Sequence, residues 1–235
     1  STTKVKTPYG DPSSDLIIGK IGDVPVVIIS RHGEGHTINP TNVNYRANIW
    51  SLKEQGCTHI LATTACGSLK EKIKSGDFVF PDQFIDRTTK RTATFYDDST
   101  VQHVPMGTPF CARTSAVLLD QAGKLGLSFH PKGTVVTIEG PRFSSKAESM
   151  MFRSWDCDII NMSTVPEVIL AREQGICYQN IAMSTDYDCW HESEEEVSIE
   201  LVFAVMAKNA ETVKKLIIHP IPDLSNEDCE CRSFY

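Results

Sequence analysis

The residues best placed to do chemistry stand near the C-terminal end. Asp186 and Asp188, within Ile181 to Trp190 (IAMSTDYDCW), are two carboxylates separated by one residue. The largely apolar run before them, Ile176 to Met183, predicts a buried strand. Residues i and i+2 of an extended chain share a face. Both acids are therefore expected to point the same way from a strand's C-terminal end, where open α/β sheets place ligands. Two carboxylates so close do not ionise equally, and one is expected to have its pKa raised. That suits a general acid beside a hydrogen-bond acceptor. The plainer alternative is a strand-end turn with two solvated aspartates.

Other strand ends carry related chemistry. Val24 to Ser30 runs into Arg31-His32-Gly33-Glu34-Gly35-His36, where a cation and an imidazole followed by glycines make an anion cradle or, alternatively, a polar hairpin loop. Cys57 to Thr64 is expected to end in Ala65-Cys66-Gly67-Ser68, small enough for backbone N–H groups to approach a phosphate, or simply a tight turn. Gly133 to Ile138 leads into Glu139-Gly140-Pro141-Arg142-Phe143-Ser144-Ser145, which brings an acid, a base and an aromatic ring. Cys157 to Met162 ends at Ser163-Thr164, expected to cap a helix from Val165 to Gln174. Arg31, Thr64, Phe143, Ser163 and Asp186 thus all sit at strand C-termini, and their convergence says more than any one of them.

The elements that must position these groups follow from the pattern. Asp15–Lys20 and Val24–Ser30 read as paired strands, and Asn42–Gln55 as a helix stopped by Gly56. Phe78–Ile85 is another apolar run, and Thr88–Thr108 a polar loop expected to be mobile. Helices are predicted over Ala112–Gly126, Ala147–Trp155 and Glu194–Ile218, with a frayed tail from Pro220. Alternating buried strands and helices predict one α/β domain over residues 1–235, with a central mixed, largely buried sheet flanked by helices.

Composition narrows the partners. The net charge of −7 with no basic run argues against nucleic acid, and an anionic substrate must be held by local groups. No apolar stretch reaches about 18 residues and no signal-peptide pattern opens the chain, so neither membrane nor export is expected. The eight cysteines are scattered, several in apolar segments, as in a reduced cytoplasmic protein. Cys229 and Cys231 form the one close pair, in an acidic tail without a nearby His, so no metal site is expected.

Six runs carry a family likeness: Arg31–Gly33, Asn44–Trp50, Thr63–Leu69, Gln83–Thr89, Thr137–Ser145 and Thr185–Trp190. Together they resemble the eukaryotic S-methyl-5′-thioadenosine phosphorylases of the trimeric purine nucleoside phosphorylase group, from about Thr7 to about Pro222. The resemblance implies a nucleoside phosphorylase-I fold and phosphorolysis: phosphate attacks the anomeric carbon, adenine leaves, and 5-methylthioribose 1-phosphate forms. Inorganic phosphate is then a co-substrate, and no cofactor or metal is implied. Arg31, His32, Thr64, Ala65 and Ser163 match the phosphate contacts; Ser163 keeps the hydroxyl of the family's Thr and loses its methyl. By the same resemblance Met162 would lie under the ribose, and Phe143 would stack on the purine with Ser144 beside it. Asp186, protonated, would hydrogen-bond purine N7, and Asp188 would accept from the 6-amino group, where 6-oxopurine relatives use Asn. His103 from a neighbouring subunit, with Ile199, Val202 and Phe203, matches the 5′-alkylthio pocket and implies a homotrimer. The family's Gly-rich phosphate loop precedes the point where these residues begin, and its C-terminal capping helix is not recognisable in Leu224–Tyr235. A broader purine nucleoside phosphorylase for adenosine or inosine, or a non-catalytic nucleoside-binding isoform, are the readings set beside it.

Overall fold

Runs rich in Ile, Val and Thr form the strands, and amphipathic segments between them form the helices that cover the sheet. The computed structural model describes residues 1–98, 100–192, 198–224 and 229–232. In chain order the elements are β1 (Thr2–Thr3), β2 (Leu16–Ile21), β3 (Val24–Ile28), α1 (Tyr45–Glu54), β4 (His59–Ser68), β5 (Phe78–Val79), β6 (Gln83–Arg87) and α2 (Ala112–Lys124). There follow β7 (Phe129–His130), β8 (Thr134–Ile138), α3 (Lys146–Ser154), β9 (Ile159–Asn161), α4 (Thr164–Glu173), β10 (Cys177–Asp186) and α5 (Ile199–Ile218). Residues 194–197 of the long predicted C-terminal helix lie outside the described residues.

The main sheet has seven strands in the order β6-β8-β9-β4-β10-β5-β7. It is mixed: β4 and β10 run parallel, as do β6, β8 and β9, whereas β9 meets β4 antiparallel. A separate antiparallel sheet holds β1, β2 and β3. Strand β10 is buried at every position, with α2, α4 and α5 packed on it. Ile159 and Val135 in the sheet meet Val168, Leu170 and Ala171 of α4, all essentially solvent-free. Each such aliphatic side chain contributes roughly 1.5–3 kcal/mol by leaving water. On another side Phe78, Phe80, Ile181 and Leu118 close over Leu216 of α5.

Several boundaries differ from the sequence pattern for local reasons. Strand β4 does not break at Ala65; its pairing with β10 continues through Cys66 and Gly67. Pro81 divides the Phe78–Ile85 run into β5 and β6. Ser163 precedes α4 without a side-chain cap bond, while the cap of α3 is a full capping box between Ser145 and Glu148. The predicted mobile loop after β6 is pinned. Buried Arg91 donates to the carbonyls of Met162 (2.7 Å), Val165 (2.6 Å) and Glu139 (2.6 Å), and pairs with the Glu139 carboxylate. The tail is also tied down: Cys231 is buried, and a one-turn helix spans Glu230–Arg232.

Candidate active site

A cavity of about 1200 Å³ opens where the ends of β3, β4, β9 and β10 converge. Its lining includes all but one of the sequence-predicted site residues: Arg31, His32, Thr64, Ala65, Phe143, Ser144, Met162, Ser163, Asp186, Asp188, Ile199 and Val202, with Phe203. His103, on the loop before α2, does not reach it. Beyond the polar end the cavity runs on as an apolar slot walled by Val26 and Ile28 of β3 and Ile60 and Ala62 of β4.

The two aspartates converge, though not as alternating positions of one strand. Strand β10 carries a bulge: Ser184 faces Cys66 and Asp186 faces Gly67, so Thr185 is an extra residue. Bulges beside sites re-aim side chains. The Thr185 carbonyl accepts from Ser75 Oγ (2.9 Å), and the flanking Ser184 backbone bonds to Gly76 and Asp77. The chain then turns. Asp188 has φ +51, a left-handed conformation unusual for a residue with a Cβ, and begins a short 3-10 turn to Trp190. The indole N–H of Trp190 donates to the Ser68 carbonyl (2.8 Å) and anchors that turn. Gly67 makes the approach possible: a Cβ there would lie 3.0 Å from Asp186 Oδ1 and 3.2 Å from Asp188 Cβ.

Asp186 is only 9% exposed and Asp188 7%. Burial pushes the pKa of both above the usual carboxylate value. For Asp186 the bonds from the Thr185 hydroxyl (2.7 Å) and the Asp188 N–H (2.8 Å) pull the other way. For Asp188 the Ser149 hydroxyl opposes the rise and the Asp186 charge adds to it. Proximity alone predicts one raised acid; the structure has two, because loss of water raises both and, at Asp188, the neighbouring Asp186 charge adds to it.

The cationic end is built differently from a bare arginine cradle. Arg31 is locked to Glu167 through Nε and Nη2 (2.9 Å for the latter), and its Nη1 donates to the Thr63 carbonyl (3.2 Å). Glu167 also accepts from the Tyr178 hydroxyl (2.8 Å). His32 donates from Nδ1 to the Ile38 carbonyl (2.8 Å), which leaves Nε2 for the cavity. Burial lowers the His32 pKa, and neighbouring Arg31 and His36 reinforce the fall over the contribution of Ile38, so the ring is neutral at neutral pH. Thr64 donates to Asn180 Oδ1 (3.0 Å), within a buried network that includes Asn161 and Thr164. The buried Ser144 hydroxyl has no hydrogen-bond partner among the described residues. Met162 is held by Gly140, where a Cβ would fall 2.5 Å from its sulfur. Phe143 keeps 38% of its surface exposed, an open ring face on the wall.

Sequence reasoning missed Glu167, Thr185, Asn161, Asn180 and Arg91. Glu167 reads as an ordinary first-turn acid of a helix, and nothing in spacing links it to Arg31, 136 residues away. Gly67 inside a strand did carry a signal, since an interior strand glycine marks close backbone approach. The residues offer acids, an imidazole, hydroxyls and an aromatic face: a pocket that can hold a planar polar heterocycle, protonate it and receive an oxyanion.

Comparison with known proteins agrees with this geometry. The phosphorylase superfamily model matches residues 1–221. S-methyl-5′-thioadenosine phosphorylases from Xenopus tropicalis and Danio rerio are 59% and 58% identical, each aligned over 95% of this chain and 82% of its own length. Among solved structures, methylthioadenosine phosphorylase from Schistosoma mansoni in complex with adenine superposes with a TM-score of 0.93 at 42% identity, covering 97% of this chain and 87% of that one. A mutant of the adenosine/methylthioadenosine phosphorylase of that organism, in complex with methylthioadenosine, gives 0.92 at 42% identity, covering 97% and 86%. The chain belongs to the phosphorylase superfamily, in the family of the S-methyl-5′-thioadenosine phosphorylases.

Proposed function

We propose that the chain catalyses phosphorolysis of S-methyl-5′-thioadenosine. A phosphate oxygen forms a bond to the ribose anomeric carbon as the bond from that carbon to purine N9 breaks. The electron pair passes into the purine, N7 takes the proton held by Asp186, and adenine departs. The observation that carries this reading is the buried pair Asp186 and Asp188 on one wall of the cavity, both pushed towards their protonated forms by burial. A neutral carboxylic acid can donate to N7 where a carboxylate would only repel its lone pair. Asp188 in its ionised form, beside an Asp186 that keeps its proton, accepts from a 6-amino group and opposes a 6-oxo group, which favours an adenine base over hypoxanthine.

At the other end, Arg31 orients phosphate while paired with Glu167, so it adds direction more than net charge. His32 Nε2, a lone pair at neutral pH, accepts the hydrogen of monohydrogen phosphate. The Ser163 hydroxyl, free of capping duty, completes the anion contacts, with Thr64 on the same cavity wall. Phe143, Ser144 and Met162 face the nucleoside, and Ile199, Val202 and Phe203 give the 5′-methylthio group an apolar berth. His103 joins that berth from a neighbouring subunit of a homotrimer, consistent with its distance from its own chain's cavity. Inorganic phosphate is the co-substrate, with no cofactor. The eight free cysteines fit a cytoplasmic setting, and no described helix is long and apolar enough to cross a membrane. The direct test is adenine release from S-methyl-5′-thioadenosine with and without phosphate. Release that requires phosphate and yields 5-methylthioribose 1-phosphate supports the proposal. Nucleoside binding without turnover would instead identify a non-catalytic nucleoside-binding protein.

A further inference from the structure

Cys229 and Cys231 have no His near them in sequence, but the fold supplies two further thiols. Cys111, the N-cap of α2, and Cys177, the first residue of β10, bring their sulfurs to the tail. The four Sγ atoms all lie within 4.8 Å of one another, and Cys111 Sγ is 3.7 Å from Cys229 Sγ. Four thiolates around one zinc ion, with Zn–S near 2.3 Å, place tetrahedral sulfur pairs about 3.8 Å apart. No other group of acidic, His and Cys side chains among the described residues has a metal-holding arrangement.

We propose that Cys111, Cys177, Cys229 and Cys231 hold a structural zinc ion that fastens the C-terminal tail to the domain. The donor set is four soft thiols with no open position, which favours zinc over magnesium or calcium and a structural role over a catalytic one. Each ligand sits on backbone already fixed. The Cys111 N–H donates to the Tyr178 carbonyl (2.9 Å), and the Cys177 N–H to the Thr58 carbonyl (3.0 Å). The Arg232 N–H closes the tail turn on the Cys229 carbonyl (2.8 Å). The Thr114 N–H points at Cys111 Sγ (3.5 Å), at the helix N-terminus, where a thiolate is favoured. Cys111, Cys177 and Cys231 are buried. Cys229, half-buried, faces a cavity of about 240 Å³ shared with His59 and Arg113, a route of entry for the ion. Four thiolates around Zn²⁺ leave two negative charges. Arg113, which lines that cavity together with Cys111 and Cys229, places a cation beside the cluster.

The site is independent of the phosphorolysis reading, and its readout is metal rather than activity. The full chain is purified under reducing, oxygen-free conditions, dialysed against micromolar zinc and then against metal-free buffer, and assayed by elemental analysis. The expected result is about one zinc per chain, released by a mercurial and replaceable by cobalt with the strong visible bands of a tetrahedral thiolate complex. Cys229→Ser, on the half-buried tail, should fold and lose the metal at least tenfold, whereas Cys57→Ser, outside the cluster, should retain it. A strong chelator should lower the Tm of the parent chain and leave that of Cys229→Ser unmoved. Three outcomes overturn the proposal: no retained zinc with all four thiols titratable, disulfides among the four in the purified chain, or zinc retained by Cys229→Ser.

Discussion

Asp186 has more acceptor bonds than a simple proton donor needs. The Thr185 hydroxyl, 2.7 Å from Asp186 Oδ2, also lies 3.3 Å from the Cys66 carbonyl. It therefore has somewhere else to donate when Asp186 carries its proton, and the buried acid can alternate between states without leaving a group unpaired. The proposed reaction uses the protonated form. Burial sets the Asp186 pKa above its ordinary value of 3.8, so the protonated fraction falls as pH rises through that raised value. kcat/KM is accordingly expected to fall on its basic side. Asp186→Asn, which keeps the shape but holds no exchangeable acid proton, should lower kcat by about 10²–10⁴-fold and remove that limb. A pH profile of the variant with the same basic limb would assign the limb to another group.

At the scale of elements, the site depends on places where regular structure is broken in a controlled way. The β10 bulge, the left-handed Asp188 and the side-chain-free Gly67 act together, because the bulge aims Asp186 into space that only a glycine leaves open. Gly67→Ala should cost about 1–3 kcal/mol in stability and reduce kcat/KM more than tenfold, measured by urea unfolding and initial rates. The pinned loop after β6 gives a second test. Burial alone would raise the Glu139 pKa, but the N–H groups of Thr89 and Lys90, the Thr41 hydroxyl and Arg91 hold it down at about 2. A lowered folded-state pKa contributes stability above the ordinary value of 4.5, lost as pH falls towards the folded value. Glu139→Gln should therefore destabilise by about 2 kcal/mol at neutral pH, with a smaller gap to the parent as pH drops below about 4.5. Much of the order of strands and helices was legible from apolar runs and breakers, such as Gly56 after α1, but the division of the Phe78–Ile85 run at Pro81 into β5 and β6 was not read. The bulge at Thr185 was not, since register is a property of two strands and the sequence displays one at a time.

For the molecule as a whole, the acidic balance means that, in the proposed reaction, phosphate is drawn in by placed groups and not by the overall field. The candidate residues were legible because their types recur at strand ends and match a family's motifs. Their partners were not: Glu167 with Arg31, and Cys111 and Cys177 with the tail cysteines, are long-range meetings that only the fold makes. His103 lies away from its own chain's cavity, and an assembly that lends it to a neighbour should sediment as three 26.1 kDa chains. A monomer with full activity would remove His103 from the site.

In the proposed reaction Asp188 reads the 6-position of the purine, and substrate choice turns on it. S-methyl-5′-thioadenosine and 5′-methylthioinosine differ only there, so the measurement is the ratio of their kcat/KM values in the parent chain and in Asp188→Asn. The parent should prefer the 6-amino substrate by at least about a hundredfold, and the variant should lose or reverse that preference. A ratio that does not move with the substitution would contradict that role.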